Sequence, residues 1–291
     1  MVYTTTFHIT ISSVVAVYVL WVLLTYRLEG RPRTLRRPHA TRDRLIYTLA
    51  ANILVGIVFP GWLLRSLVLE QTVTSAAAGF NTPAHILTMS AIGFLLGVVF
   101  LILQRPGVKH PMVLLNIYIQ TWTVSVAEIM ICWVLIGSYA EALFSSRTIP
   151  VAILPAVVLS TILFGLYHYA HSPPFNTPEM VMRLTGIGLI TSLFYFLSRD
   201  VYATIIFHNF FATFGVIRFL QNSDRLVIYR RFRPAPAALA VLSLGLLIGM
   251  HLLWFKPDPL PPSHGPVRFV RQPAAITQPP FGSRTVLSFP G

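Results

Sequence analysis

Apolar residues run through this chain in long unbroken blocks, and polar or proline-bearing stretches are confined to the short breaks between them. Eight blocks, each at least about as long as the roughly 20 residues a helix needs to cross a bilayer, can be read off. They lie at 7–26, 45–69, 84–103, 112–143, 150–171, 180–198, 201–220 and 235–255. Hydrophobicity inside them is continuous and does not alternate with a period of two, which argues against a transmembrane β-barrel. The pattern predicts an all-α fold, a polytopic membrane helical bundle of about eight transmembrane helices. The first block is expected to be a retained span. Its apolar stretch is too long for a signal peptide, no basic residues precede it and no small-residue cleavage site follows.

Composition agrees with that reading and charge adds a topology. The chain is 55% hydrophobic and 11% charged, with a mean hydropathy of +0.69, values at which a soluble domain would expose large apolar patches. A net charge of +13 raises the question of nucleic acid, but the arginines gather in loops between blocks. Arg27, Arg31, Arg33, Arg36, Arg37, Arg42 and Arg44 precede the second block, and Arg218, Arg225, Arg230, Arg231 and Arg233 precede the last. The lipid bilayer, not nucleic acid, is the partner expected for such loops. The positive-inside rule puts loop 27–44 in the cytoplasm and both termini outside, and a bacterial cytoplasmic membrane is the expected location. Cys132, the single cysteine, lies inside a block and supports no disulfide framework.

This divides the chain into N-terminal helices with a basic loop at 1–109, a helical core at 110–220, a basic loop and last helix at 221–255, and a proline-rich tail at 256–291. Pro257, Pro259, Pro261, Pro262, Pro279 and Pro280 make that tail an extended arm or a docking segment for a larger membrane complex.

Ionisable side chains inside a bilayer cost at least a few kcal/mol each, so those within blocks are candidates for function. They are Glu128, Glu141, His168, His171 and His208, joined by the neutral Asn116, Gln120 and Asn209. Glu128 reads either as a protonated acid sharing a hydrogen bond or as a general base or metal-site carboxylate. His168 and His208 stand in two further blocks. Two imidazoles with a carboxylate suit a divalent metal, zinc or similar, with a position left open for water. His171 directly precedes Ser172, Pro173 and Pro174, which end the helix. It is expected at headgroup level, the alternative being a proton relay beside His168.

Antiparallel neighbours joined by the turn near Ser145 to Pro150 are level at equal distance from it. Glu128 and His168 each stand about 20 residues from the turn, roughly 30 Å along a helix, whereas Glu141 stands only about six away. Glu128 is therefore preferred, and Glu141 is expected near the outer surface. His208 is shallow by the same measure, unless the long block 112–143 overshoots the membrane by about two turns.

Phe164, Gly165, Leu166, Tyr167 and His168 resemble the FxxxH motif of the CPBP intramembrane metalloproteases. That family includes the type II CAAX prenyl endopeptidases and the bacterial abortive-infection proteins. The resemblance covers roughly residues 110–220. Ala127-Glu128 resembles the start of the family's EExxxR motif, with Ile129 in place of the second glutamate and Trp133 in place of the arginine. His208 matches the start of HxxxN, with Ala212 where the asparagine is expected and Asn209 beside the histidine. Glu141, with Arg147 nearby, competes for the first motif.

The resemblance implies a metal-dependent endopeptidase that hydrolyses a peptide bond of a membrane-associated protein or peptide substrate. In it Glu128 is the general base, His168 and His208 hold the metal, and Asn209 offers its amide to the developing oxyanion. The motif departures imply the alternative, a catalytically inactive subunit of the same fold that binds another membrane protein, a lipid or a pigment. A haem protein with histidine ligands or a transporter is also conceivable. A transporter, though, would show helix breaks in corresponding halves, and no such pairing is seen.

Overall fold

The computed structural model describes residues 11–34, 37, 40–108, 110–144, 149–223 and 225–255. All regular structure among them is helical. Eight segments among the described residues are long and apolar enough to cross a membrane. They are α1 (Ile11–Gly30), α2 (Thr41–Leu69), α3 (Pro83–Gln104), α4 (Pro111–Leu143), α5 (Ala152–Ala170), α6 (Pro178–Ser198), α7 (Val201–Asn222) and α8 (Pro234–Trp254). Large apolar side chains such as Leu87, Leu95, Leu103, Leu197 and Leu253 point outward from them, as lipid-facing positions must. The protein is an integral membrane protein. The described helices belong to one compact unit. The tail at 256–291 and Arg147 lie outside the described residues.

The longest segment, α4, is also the most enclosed. Every residue from Ser125 to Ser138 is buried, the condition of a helix that is apolar all round. Its hydrogen bonding widens to the π pattern over Ile129–Gly137, immediately after Glu128, a local unwinding that often marks functional sites. At the periphery α3 leans on α7 through Gly93 and Gly97. A Cβ at either glycine would run into the Ala203 carbonyl oxygen or the Phe210 ring, so the four-residue glycine spacing serves close helix approach.

α1 runs alongside α5 in the same direction. Tyr18 donates through its hydroxyl to the Leu163 carbonyl at 2.7 Å, and Trp21 stacks on Tyr167 with ring centroids 3.6 Å apart. Further along, Glu29 meets His171 and Ser172. Stacking of this kind adds about 0.5–1.5 kcal/mol beyond the area it buries. α1 extends four residues beyond the apolar block, to Gly30, and that extension carries Glu29 into the protein.

Candidate active site

The site is assembled from the middle of α4, the end of α5, the first half of α7 and the last turn of α1. Glu128 is 4% exposed and lies between two imidazoles. Its Oε2 is 3.0 Å from His208 Nε2 and its Oε1 is 3.8 Å from His168 Nε2. Of the two glutamates weighed from the sequence, it is Glu128 that stands beside His168 and His208. The length of α4 brings Glu128 level with His208 despite the latter's position early in α7.

Each imidazole has its orientation set by a second contact. His168 Nδ1 lies 2.8 Å from the Phe164 carbonyl. A carbonyl can only accept, so Nδ1 carries the proton and the neutral ring keeps its lone pair on Nε2. His208 Nδ1 is 3.0 Å from Thr191 Oγ1. With Glu128 ionised, His208 Nε2–H donates to the carboxylate and Thr191 Oγ–H donates to Nδ1. Both ring nitrogens of His208 are then engaged. The Phe164 ring stands edge-on to His168 and His208 at 4.7 and 5.2 Å. Trp133, in the arginine position of the first motif, packs on Phe164 at 5.1 Å and donates through its indole N–H to Ser192 Oγ at 2.7 Å. It builds an aromatic wall where the family pattern has a cation.

His171, expected from the sequence at headgroup level, is enclosed by protein. It is 8% exposed, and its ring centre lies 5.4 Å from that of His168. The α5 helix ends in a tight 3-10 turn at His168–Ala170, after which His171 takes an extended backbone, φ −80° and ψ 170°. The two following prolines have no N–H with which to continue the helix. His171 therefore turns inward. One donor atom from each of Glu128, His168 and His171 lies within 4.8 Å of the others. This is the compact donor group, and it contains His171 where the sequence pointed to His208. Both nitrogens of His208 are engaged, by Thr191 and Glu128, whereas His171 Nε2 is buried with no hydrogen-bond partner among the described residues.

These residues fit a divalent cation. Two imidazoles, each with Nδ1 held by an acceptor, and one carboxylate form a donor set of the kind found at catalytic zinc sites.

Asn209 is also placed differently from the expectation. Its Oδ1 accepts from Ser125 Oγ at 2.9 Å and its Nδ2 donates to the Tyr118 carbonyl at 2.9 Å. The amide ties α7 to α4 through both of these contacts. Glu141 forms a two-pronged ion pair with Arg199, both contacts at 2.6 Å, far along α4 from Glu128.

Glu29 is the site residue that sequence reasoning missed. His171 Nδ1–H donates to its Oε2 at 3.1 Å, Ser172 N–H to the same oxygen at 2.9 Å, and Ser172 Oγ–H to Oε1 at 2.5 Å. The one signal was slight: it is the sole acidic residue before Asp43, set among Arg27, Arg31 and Arg33.

A cavity of about 670 Å³ reaches this group. Its lining passes from buried Glu128, His168 and His208 through apolar Phe211 and Leu184 to exposed Arg183 and Arg218, so the site communicates with one end of the bundle.

The arrangement defines a class, a membrane-embedded helical protein with a buried glutamate–histidine site open to a cavity. Residues 110–214 match the family model described as type II CAAX prenyl endopeptidase Rce1-like. The match spans the helices α4 to α7, which, with the turn after α5, hold Glu128, His168, His171 and His208. No curated protein and no solved structure matches the chain.

Proposed function

We propose that this protein is an intramembrane peptide hydrolase of the CAAX-processing kind, acting on a membrane-associated substrate. The observation that carries the reading is the placement of Glu128. His208 holds one carboxylate oxygen, while the other stands 3.8 Å from His168 Nε2. That gap is too long for a direct hydrogen bond and short enough for one water to touch both atoms. Glu128 takes one proton of that water, and in the metal-free site the Nε2 lone pair of His168 orients the water by accepting a hydrogen bond from its other O–H. His208, backed by Thr191, holds the carboxylate in place through its Oε2. Phe164 and Trp133 close the site on the far side, so that charge developing there is poorly screened by solvent.

A divalent cation of the zinc class, when bound, would be held by His168 and His171 in place of that hydrogen bond, and would supply Lewis-acid polarisation of the water and the scissile carbonyl. The cavity that opens at the end bearing Arg183 and Arg218, with Leu184 and Phe211 in its lining, would serve as the entry for a lipidated peptide. The family description points to a prenylated C-terminal peptide as the first substrate to try. Partners of the tail at 256–291 stay a separate proposal.

The test is hydrolysis of a prenylated CAAX peptide by purified protein in nanodiscs, with products identified by mass spectrometry. Zinc-loaded wild type is expected to release the C-terminal tripeptide, and Glu128→Gln and His168→Ala are expected not to. A wild type that folds, carries metal and cleaves nothing would overturn this reading. One observation favours the non-catalytic alternative: Trp133 and Ala212 stand where the family pattern has an arginine and an asparagine. That alternative predicts co-purification with a larger membrane complex.

A further inference from the structure

Outside the family-matched segment, one ionisable group lies deep in the protein at the edge of the site. Glu29 is 1% exposed. A carboxylate taken from water at such a place costs several kcal/mol unless its oxygens are satisfied, and here three donors converge on it, from His171 and from the backbone and side chain of Ser172. Its position is over-determined. Tyr18 and Trp21 fasten α1 along α5. The next residue, Gly30, passes so close to the end of α5 that a Cβ there would run into the Ala170 carbonyl oxygen. A helix end has been brought to van der Waals contact with the His168–His171 turn, and the side chain it delivers there is an acid.

The consequence falls on His171. Because a carboxylate accepts from Nδ1, the neutral ring keeps its lone pair on Nε2, the atom that is buried and has no partner. His171 shares the compact donor group with His168 and Glu128. An imidazole whose far nitrogen is gripped by a carboxylate is fixed in tautomer and ring orientation and is the more basic for it.

We propose that Glu29 is a positioning residue for the site. The first transmembrane helix supplies the carboxylate that holds His171 in the Nδ1–H tautomer and presents its Nε2 as a donor for a divalent cation shared with His168. The site is then incomplete in the matched segment 110–214 alone, and α1 is part of the machinery. The cation half of this inference rests on the metal reading above, and the positioning half does not.

Two measurements on full-length protein separate the halves. In metal-free protein labelled with 15N-histidine, the wild-type His171 ring is expected to show the pattern of a neutral Nδ1–H tautomer. Glu29→Gln is expected to convert it to a mixture, with circular dichroism and thermal unfolding close to wild type. Titration with Co2+, followed by its d–d absorption, is expected to show about 10–100-fold weaker binding for Glu29→Gln. His171→Ala should weaken binding at least as much. An unchanged His171 tautomer in Glu29→Gln, or wild-type cobalt affinity in a variant whose tautomer has changed, overturns the proposal. If the tautomer shifts but wild type takes up no cobalt, the metal reading falls and the positioning of His171 by Glu29 stands.

Discussion

Glu29 Oε2 lies 3.1 Å from His171 Nδ1, across 142 residues of chain. The contact joins the first span to the turn that carries His168 and His171, and on the positioning role proposed for Glu29 the packing of α1 bears on the site as well as on the fold.

Gly30 is what permits that approach. Gly30→Ala places a methyl group against a backbone carbonyl that cannot move without unwinding the end of α5. Overpacking of this kind costs about 1–3 kcal/mol. The expected outcome is a lower unfolding temperature in detergent together with a disturbed His171 ring signal. A variant as stable as wild type, with His171 unchanged, would show that the two segments are not in contact.

Glu128→Gln preserves size and hydrogen bonding capacity but removes the base. Peptide hydrolysis should fall by roughly 10²–10⁴-fold, the usual worth of a positioned general base, while unfolding temperature changes little. A Gln variant retaining most of the wild-type rate would exclude Glu128 as proton acceptor.

Asp200 begins α7, its Oδ1 accepting from Ala203 N–H at 2.8 Å. Burial pushes its carboxyl up to about 6. A carboxyl raised in the folded state binds its proton more tightly there than in the unfolded chain, so stability declines as pH rises through the window between about pH 4 and about pH 6. Asp200→Asn keeps a capping oxygen and removes the titration. Unfolding temperatures measured across this range should diverge, wild type losing stability toward neutral pH and the Asn variant not. Parallel curves would refute the assignment.

Arg199 occupies a left-handed backbone position, φ 51°, and grips Glu141 with both guanidinium arms. Arg199→Ala leaves Glu141 half-buried without this partner and should cost about 1–3 kcal/mol. Arg199→Lys should recover only part of that, because an ammonium cannot make the paired contact. Metal binding at Glu128, His168 and His171 should be unaffected in both, since the pair lies elsewhere on α4. Loss of cobalt binding in either folded variant would show that the two regions are linked.

The spans were legible in the chain itself. Crossing a bilayer requires a continuous apolar run of a certain length, a property that survives reading in one dimension, and the segments agree with the blocks to within a few residues. Glu128 and His168 were legible too, because a charge inside an apolar block is costly enough to stand out. Their mutual depth followed from counting residues back to the turn between α4 and α5.

The roles of the remaining polar groups depended on direction, which sequence does not carry. Asn209 adjoins His208 in sequence, yet its amide faces Ser125 and Tyr118. His171 looked like a rim residue because prolines follow it, but the extended backbone at His171 turns its ring inward. Glu29 sat among arginines and read as part of a solvated loop, until the packing of Tyr18, Trp21 and Gly30 on α5 carried it into the protein. The sequence by itself determined a membrane bundle with a glutamate and histidines at bilayer depth, because hydrophobicity and charge are local. Tertiary structure alone decided which of them share a site, because helix rotation and close approach are set by contacts between segments far apart in the chain.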